Sequence, residues 1–344
     1  MKVVDIFRYK RAYSNWLSVL YQSYRVRNKV EDKSNAMIHV ILKGSKKILD
    51  VPYPVAYSYT GAIATYNPKV KNITIDGGSL AFCYDGYDLN FDLGNGVDLN
   101  ASFFSEEYNF LKVKGKDVID IGANIGDTAI YFAIKGAKKI ISLEPYPYTF
   151  ALAQKNLRAF ITEYPEFKDI IEVINAGYGD DKEVKIDTSF MPDSSTTVRE
   201  SSVGQKIRFY SLRTLVSKYN IESGILKMDC EGCEYDLLKE NNETMKKFSM
   251  VQIEYHYGYD KLVKKLKDCG FDIKYTEPEK SFYRRSGRVK EIGYVYMGGN
   301  NKSPHRADIM DTRLPQVVYV IGIYQIIFLV LSLYFAYETE RLFL

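Results

Sequence analysis

At 344 residues, 46% hydrophobic and 26% charged, the chain has an ordinary globular balance and exceeds one average domain. Its net charge of +4 comes from 47 basic and 43 acidic side chains, too even a mixture to specify nucleic acid as a partner. Cys83, Cys230, Cys233 and Cys269 are too few for a disulfide framework, and Met1 opens a polar segment without a signal-peptide core, so the bulk of the protein is expected in the cytoplasm.

From Met1 to about Val30, Phe7, Tyr13, Trp16, Leu17 and Leu20 recur at helical spacing. Met37–Leu42, Ile73–Ile75 and Leu80–Cys83 read as short strands split by Gly and Asp turns, which makes residues 1–100 a small N-terminal cap. Strands then alternate with helices: strand Asp117–Ile121, helix to Ile134, strand Lys139–Leu143, helix from Pro147 to about Phe160, strand Ile170–Asn175. That alternation predicts an α/β domain over 101–299 with a right-handed, mainly parallel sheet. Val184–Ile186 and Lys206–Tyr210 read as a hairpin around the polar loop Met191–Gly204. Ile225–Met228 and Met250–Tyr255 are two more buried strands, Lys261–Cys269 is an amphipathic helix, and Phe271–Tyr275 with Ile292–Met297 closes the sheet.

A tether over 300–315 leads to Val317–Tyr337, which carries no charged residue across 21 positions. At ~1.5 Å per residue this run matches the roughly 30 Å hydrocarbon core of a bilayer, so residues 316–338 are expected to form a single-pass transmembrane helix. Lys302, Arg306 and Arg313 precede the span and only Arg341 follows it, which keeps the catalytic part on the cytoplasmic side.

The segment VIDIGANIGDTAIYFA, Val118 to Ala133, is a β-branched run that stops at Asp120, turns through Gly122 and Gly126 and enters a helix. Strand ends of open α/β sheets bind ligands, and glycines let the backbone approach one closely. The helix N-terminus favours a ligand carboxylate, while Asp120 and Asp127 can take an ammonium or hydroxyls. A zwitterionic amino-acid moiety, as in S-adenosylmethionine, therefore suits the turn better than a pyrophosphate. Gly122 and Gly126 are separated by Ala123, Asn124 and Ile125, which departs from the dinucleotide pattern G-x-G-x-x-G. The next strand ends in Glu144, close to the ~20-residue spacing at which an acid accepts ribose hydroxyls.

Two further strand ends carry acids. LKMDCEGCEYDLL, Leu226 to Leu238, delivers Asp229 and Glu231, and VQIEYHYG, Val251 to Gly258, delivers Glu254 and His256 to the same edge. A buried carboxylate is costly unless paired, so Asp229 is expected to face the crevice. With an unperturbed pKa near ~6.5, His256 is a candidate base for a leaving alcohol proton, or a positioning group. No metal ligand is assigned, although two carboxylates and one imidazole are an alternative divalent-cation set. Cys230 and Cys233 lack the second pair or the histidine of a zinc site and the context of a redox motif. Asn175, Ala176 and Gly177 are placed to flank an adenine ring or to form a plain turn. Glu106, Glu107 and Tyr108 can fold over a cofactor's amino-acid end or lie on a solvated helix.

In this order and spacing, EEY at Glu106, DIGANIGDTAIYFA at Asp120, LEPYP at Leu143, NAGYGD at Asn175, KMDCEGCEYD at Lys227 and IEYH at Ile253 resemble the FkbM family of S-adenosylmethionine-dependent methyltransferases, over about Ser105 to Gly299. The resemblance implies a Rossmann-like class I methyltransferase fold with a seven-stranded sheet, and O-methylation of a hydroxyl. It implies cofactor contacts at Asp120, Gly122, Asn124, Gly126 and Glu144, and an acceptor side made by Asp229, Glu231 and His256. Ala123, Asp127, Glu107, Asn175 and Ala176 complete the expected cofactor site. The expected acceptor is a hydroxyl-bearing small molecule, glycan or lipid. The alternatives are a nucleotide-sugar or dinucleotide enzyme on a similar sheet, and a non-catalytic membrane-anchored partner protein.

Overall fold

Apolar runs of four to eight residues with flanking turns become strands here, and their neighbours in sequence become the helices that cover them. The computed structural model describes residues 3–27, 36–76, 78–94, 99–192, 195–198, 200–283 and 288–298. The expected tether and the apolar run Val317–Tyr337 lie outside the described residues. Among the described residues, no helix is long and apolar enough to cross a membrane.

The N-terminal part begins with α1 (Val3–Ala12) and α2 (Trp16–Arg27), where one continuous helix is expected. The break falls at Tyr13, which bridges to Leu42, and at Asn15, whose side chain bonds the backbone of His39 and Ile41 and so competes with helical pairing. The hairpin β1 (Met37–Val40) and β2 (Leu49–Pro52) follows, then α3 (Tyr53–Ala64) and the antiparallel meander β3 (Val70–Asp76), β4 (Ser79–Tyr84) and β5 (Tyr87–Asp92). Helix α3 is buried around most of its circumference, so its sequence carries no amphipathic period to betray it. Phe82 of β4 packs on Phe103, and Phe103 packs edge-on against Tyr131, so the N-terminal part shares one apolar core with the segment that follows.

The main sheet then builds from β6 (Asp117–Ile121), α4 (Asp127–Ile134), β7 (Lys139–Leu143), α5 (Pro147–Glu163) and β8 (Ile171–Ile174). β9 (Ala176–Tyr178) leaves this sheet and pairs with β11 (Gln205–Tyr210), itself the hairpin partner of β10 (Glu183–Ile186). After α6 (Leu212–Tyr219) come β12 (Gly224–Met228), α7 (Asn242–Met245), β13 (Phe248–Tyr255), α8 (Asp260–Asp268), β14 (Ile273–Tyr275), β15 (Glu279–Tyr283) and β16 (Arg288–Met297).

The spatial order is β14-β16-β13-β12-β6-β7-β8, with β15 added on β16. Only β16 runs antiparallel to its neighbours along this path. The expected seven-stranded, mainly parallel sheet is thus present, with β15 as an addition. From β6 the chain winds outward through β7 and β8, then returns to lay β12 on the other side of β6. That reversal opens a crevice at the carboxyl ends of β6 and β12, where sheets of this kind bind ligands.

Candidate active site

A cavity of about 310 Å³ occupies the crevice. Its walls include Gly122, Asn124 and Asp127 after β6, Glu144 after β7, Ala176 of β9, and Asp229 and Glu231 after β12. Seven of the expected site residues are therefore brought together. Asp120, Ala123, Gly126, Glu107, Asn175 and His256 stand behind the walls.

The turn after β6 is built by its backbone. Gly122 takes φ +86°, and a Cβ there would lie 1.9 Å from the carbonyl oxygen of Asp229, so only glycine lets the two strand ends meet. Asn124 takes φ +47°, which asparagine tolerates better than most residues, and Gly126 at φ +84° starts α4. Ala123 is fully buried and donates its N–H to the Leu143 carbonyl.

Glu144 is the carboxylate that reaches the cavity from β7. Its oxygens accept the backbone N–H groups of Asn124 and Tyr146, each at 3.0 Å, leaving further lone pairs for a ligand. Burial pushes its carboxyl up to about 8 against those two bonds. Asp127 accepts a bond from Ser102, and burial pushes it up to about 6.

Asp120 does not line the cavity. It is wholly buried, accepts bonds from Thr128 at 2.6 Å and Ser142 at 2.9 Å, and lies 3.0 Å from Lys227 Nζ. That last approach is an ion pair set off the angle of an aligned hydrogen bond. The lysine also donates to the Gly122 carbonyl at 2.7 Å and lies on the cavity wall. Burial lowers the Lys227 pKa, but Asp120 and Asp229 outweigh it and hold the ammonium charged. Lys227 is the residue that the sequence reading missed. Its signal was a lysine inside the apolar strand GILKM, which a strand buried on both faces admits only with a partner.

Asn175 ties strand ends, its amide donating to the carbonyls of Glu144 and Pro145. Glu107 accepts from Tyr294 and Ser105, away from the cavity. Its neighbour Tyr108 does reach the wall and donates to Asp229 at 3.3 Å.

His256 is 1% exposed and sandwiched between carboxylates, with Nδ1 3.0 Å from Glu234 and Nε2 3.3 Å from Glu231. Burial lowers its pKa, but the bonds from Glu231 and Glu234 more than offset this and push it up to about 11. Both ring nitrogens are engaged by carboxylates and the ring stands behind the cavity wall, which speaks for the positioning expectation against the general-base one. Cys230 and Cys233 are joined in a disulfide. The chain reverses between them through Glu231 at φ +57° and Gly232 at φ +124°, which brings their Cα atoms to 5.5 Å.

Comparison with known proteins finds partial likenesses, among them to methyltransferases. A protein of Methanocaldococcus jannaschii named as a candidate protein N5-glutamine methyltransferase is 44% identical over 50 residues, 14% of this chain and 25% of the relative. An uncharacterized protein of Sulfolobus islandicus rod-shaped virus 1 is 29% identical over 134 residues, 39% of this chain and 58% of that protein. The chain thus spans between a quarter and three-fifths of the length of these two curated relatives. The crystal structure of methyltransferase FkbM from Methylobacillus flagellatus aligns with a TM-score of 0.39 and 14% identity over 58% of this chain and 47% of that one. The model of the methyltransferase FkbM domain matches residues 120–273, from the end of β6 to the start of β14. The segment 120–273 belongs to the methyltransferase FkbM domain family.

Proposed function

We propose that the chain is an S-adenosylmethionine-dependent methyltransferase acting on a hydroxyl of a sugar, a lipid-linked glycan or a lipid headgroup. The observation that carries this reading is Glu144, a carboxyl group on the cavity wall beside the glycine turn that leads into α4. The donor set fits the cofactor. Glu144 accepts ribose hydroxyls, the N-terminus of α4 receives a carboxylate, and Phe209 with Ala176 offers an apolar wall to a purine. When bound, S-adenosylmethionine supplies an electrophilic methyl group.

The chain's own residues orient the reaction. Asp229 and Glu231 present carboxylate oxygens on the opposite wall, Tyr108 holds Asp229, and His256 holds Glu231. The lipid or glycan preference rests on Val317–Tyr337, read from the sequence as an anchor, because confinement at a bilayer raises the effective concentration of a lipid acceptor.

Incubating membranes with cofactor labelled in its methyl group and identifying the labelled molecule tests the reading. A labelled hydroxyl-bearing lipid or glycan is expected. Failure of the purified protein to bind S-adenosylhomocysteine would overturn the assignment. Deleting Leu314–Leu344 should leave cofactor affinity intact and slow turnover of lipid acceptors; equal turnover of lipid and soluble acceptors would remove the anchor's role.

A further inference from the structure

Asp229, Glu231 and His256 converge after β12 and β13 at the cavity wall, and a cation held among them would take the place of the proton on His256 Nε2. We propose that Asp229, Glu231 and His256 form a binding site for a divalent cation of the Mn²⁺ class, open toward the cavity. The site as such stands on geometry; its role in activating an acceptor hydroxyl rests on the methyl-transfer reading above.

Three observations converge. First, the imidazole is held from behind. Glu234 is 0% exposed, its Oε1 accepts the backbone N–H of His256 at 3.0 Å and meets Nδ1 at 3.0 Å, and its Oε2 accepts the N–H of Gly232 at 2.8 Å. A carboxylate fixed on one ring nitrogen is the arrangement that aims the other nitrogen at a metal. Second, that other nitrogen converges with two carboxylates. One ligand atom from each of Asp229, Glu231 and His256 lies within 4.8 Å of the others, so a small inward movement of the side chains brings all three to bonding distance of one ion. Third, Asp229 and Glu231 line the cavity while His256 stands behind them, so the protein ligands approach from one side and the remaining positions face the acceptor.

The charge around the site agrees. Glu234 and Glu254 join Asp229 and Glu231, so four carboxyl groups surround one imidazole, and the ammonium of Lys227, paired with Asp120 at 3.0 Å, is also drawn toward Asp229. One nitrogen and two oxygen donors suit Mn²⁺ or Zn²⁺ better than Ca²⁺, which takes six to eight oxygens. The Cys230–Cys233 disulfide fixes the loop that carries Glu231.

Full-length protein stripped with a chelator and titrated with MnCl₂ tests this by electron paramagnetic resonance. The free-ion signal should fall with one ion bound per chain, and pulsed spectra should show coupling to one imidazole nitrogen. Asp229→Asn and Glu231→Gln should each weaken Mn²⁺ binding by at least about tenfold, with retained S-adenosylhomocysteine binding showing that the variants are folded. An undiminished free-ion signal at millimolar Mn²⁺, bound Mn²⁺ without nitrogen coupling, or folded variants of unchanged affinity would overturn the site. The wild-type spectra decide the matter even where a variant fails to fold. Nitrogen-coupled Mn²⁺ in a protein that ignores S-adenosylhomocysteine would support the cation site and end the methyl-transfer reading.

Discussion

Lys227 Nζ lies 3.0 Å from Asp120 Oδ1, and both side chains are cut off from solvent at 1% and 0% exposure. The two residues are register partners on the parallel strands β12 and β6, and Ser142 on β7 and Gln252 on β13 extend the same row. A polar row thus crosses the sheet beneath the glycine turn. Lys227 reaches up from it to the Gly122 carbonyl and ties the pair to the cavity floor.

Removing the lysine charge should leave Asp120 buried and uncompensated. Lys227→Met is expected to lower unfolding free energy by about 3–5 kcal/mol, read from urea midpoints at constant slope. Adding Asp120→Asn should recover much of that loss, because the second change removes the stranded charge. A single-variant loss below about 1 kcal/mol would show that the pair does not hold the strand ends.

Glu144→Ala should act on cofactor affinity. A hydrogen bond to a neutral carboxyl contributes roughly 0.5–1.5 kcal/mol, so with two ribose hydroxyls lost, S-adenosylhomocysteine binding measured by calorimetry should weaken by about fivefold to a hundredfold. Unchanged affinity would remove Glu144 from the ribose contact.

The same carboxyl should mark the pH dependence of stability. Its folded-state pKa is pushed up to about 8 by burial, against an ordinary 4.5, so the folded chain holds a proton that the unfolded chain has released. Stability should therefore fall as pH rises from about 4.5 to about 8, and the fall should be shallower in Glu144→Gln. Chemical denaturation of both proteins across this range checks the difference, and parallel curves would refute the assignment.

His256→Ala should lower turnover while cofactor affinity stays near normal, since His256 touches Glu231 and Glu234 and not the Glu144 wall. In chelator-treated protein the variant should also lose about 3–5 kcal/mol of stability, because Glu234 is left buried without its counter-ion. The wild-type turnover profile should show no limb near pH 6.5 that disappears in the variant. Such a limb would restore the histidine as a base.

Much of this protein is legible in one dimension. Apolar runs ending in acids mark β6, β7, β12 and β13, and the spacing of Gly122 and Gly126 marks the turn, because strand burial and positive φ impose strict local demands on residue type. The largely buried helix α3 escaped notice because its surroundings are apolar on most sides and erase the period.

Which acids would meet a ligand was settled elsewhere. Asp120 and Glu144 look alike at the ends of adjacent strands, yet one is neutralised by Lys227, more than a hundred positions away in sequence, and the other is left on the cavity wall. His256 looks like a base until Glu231 and Glu234 close on both its nitrogens. The local sequence determined which chemical groups stand at the sheet's edge. Only the packing of distant strands decided their charge state and partners, because Coulombic and desolvation terms depend on neighbours in space and not along the chain.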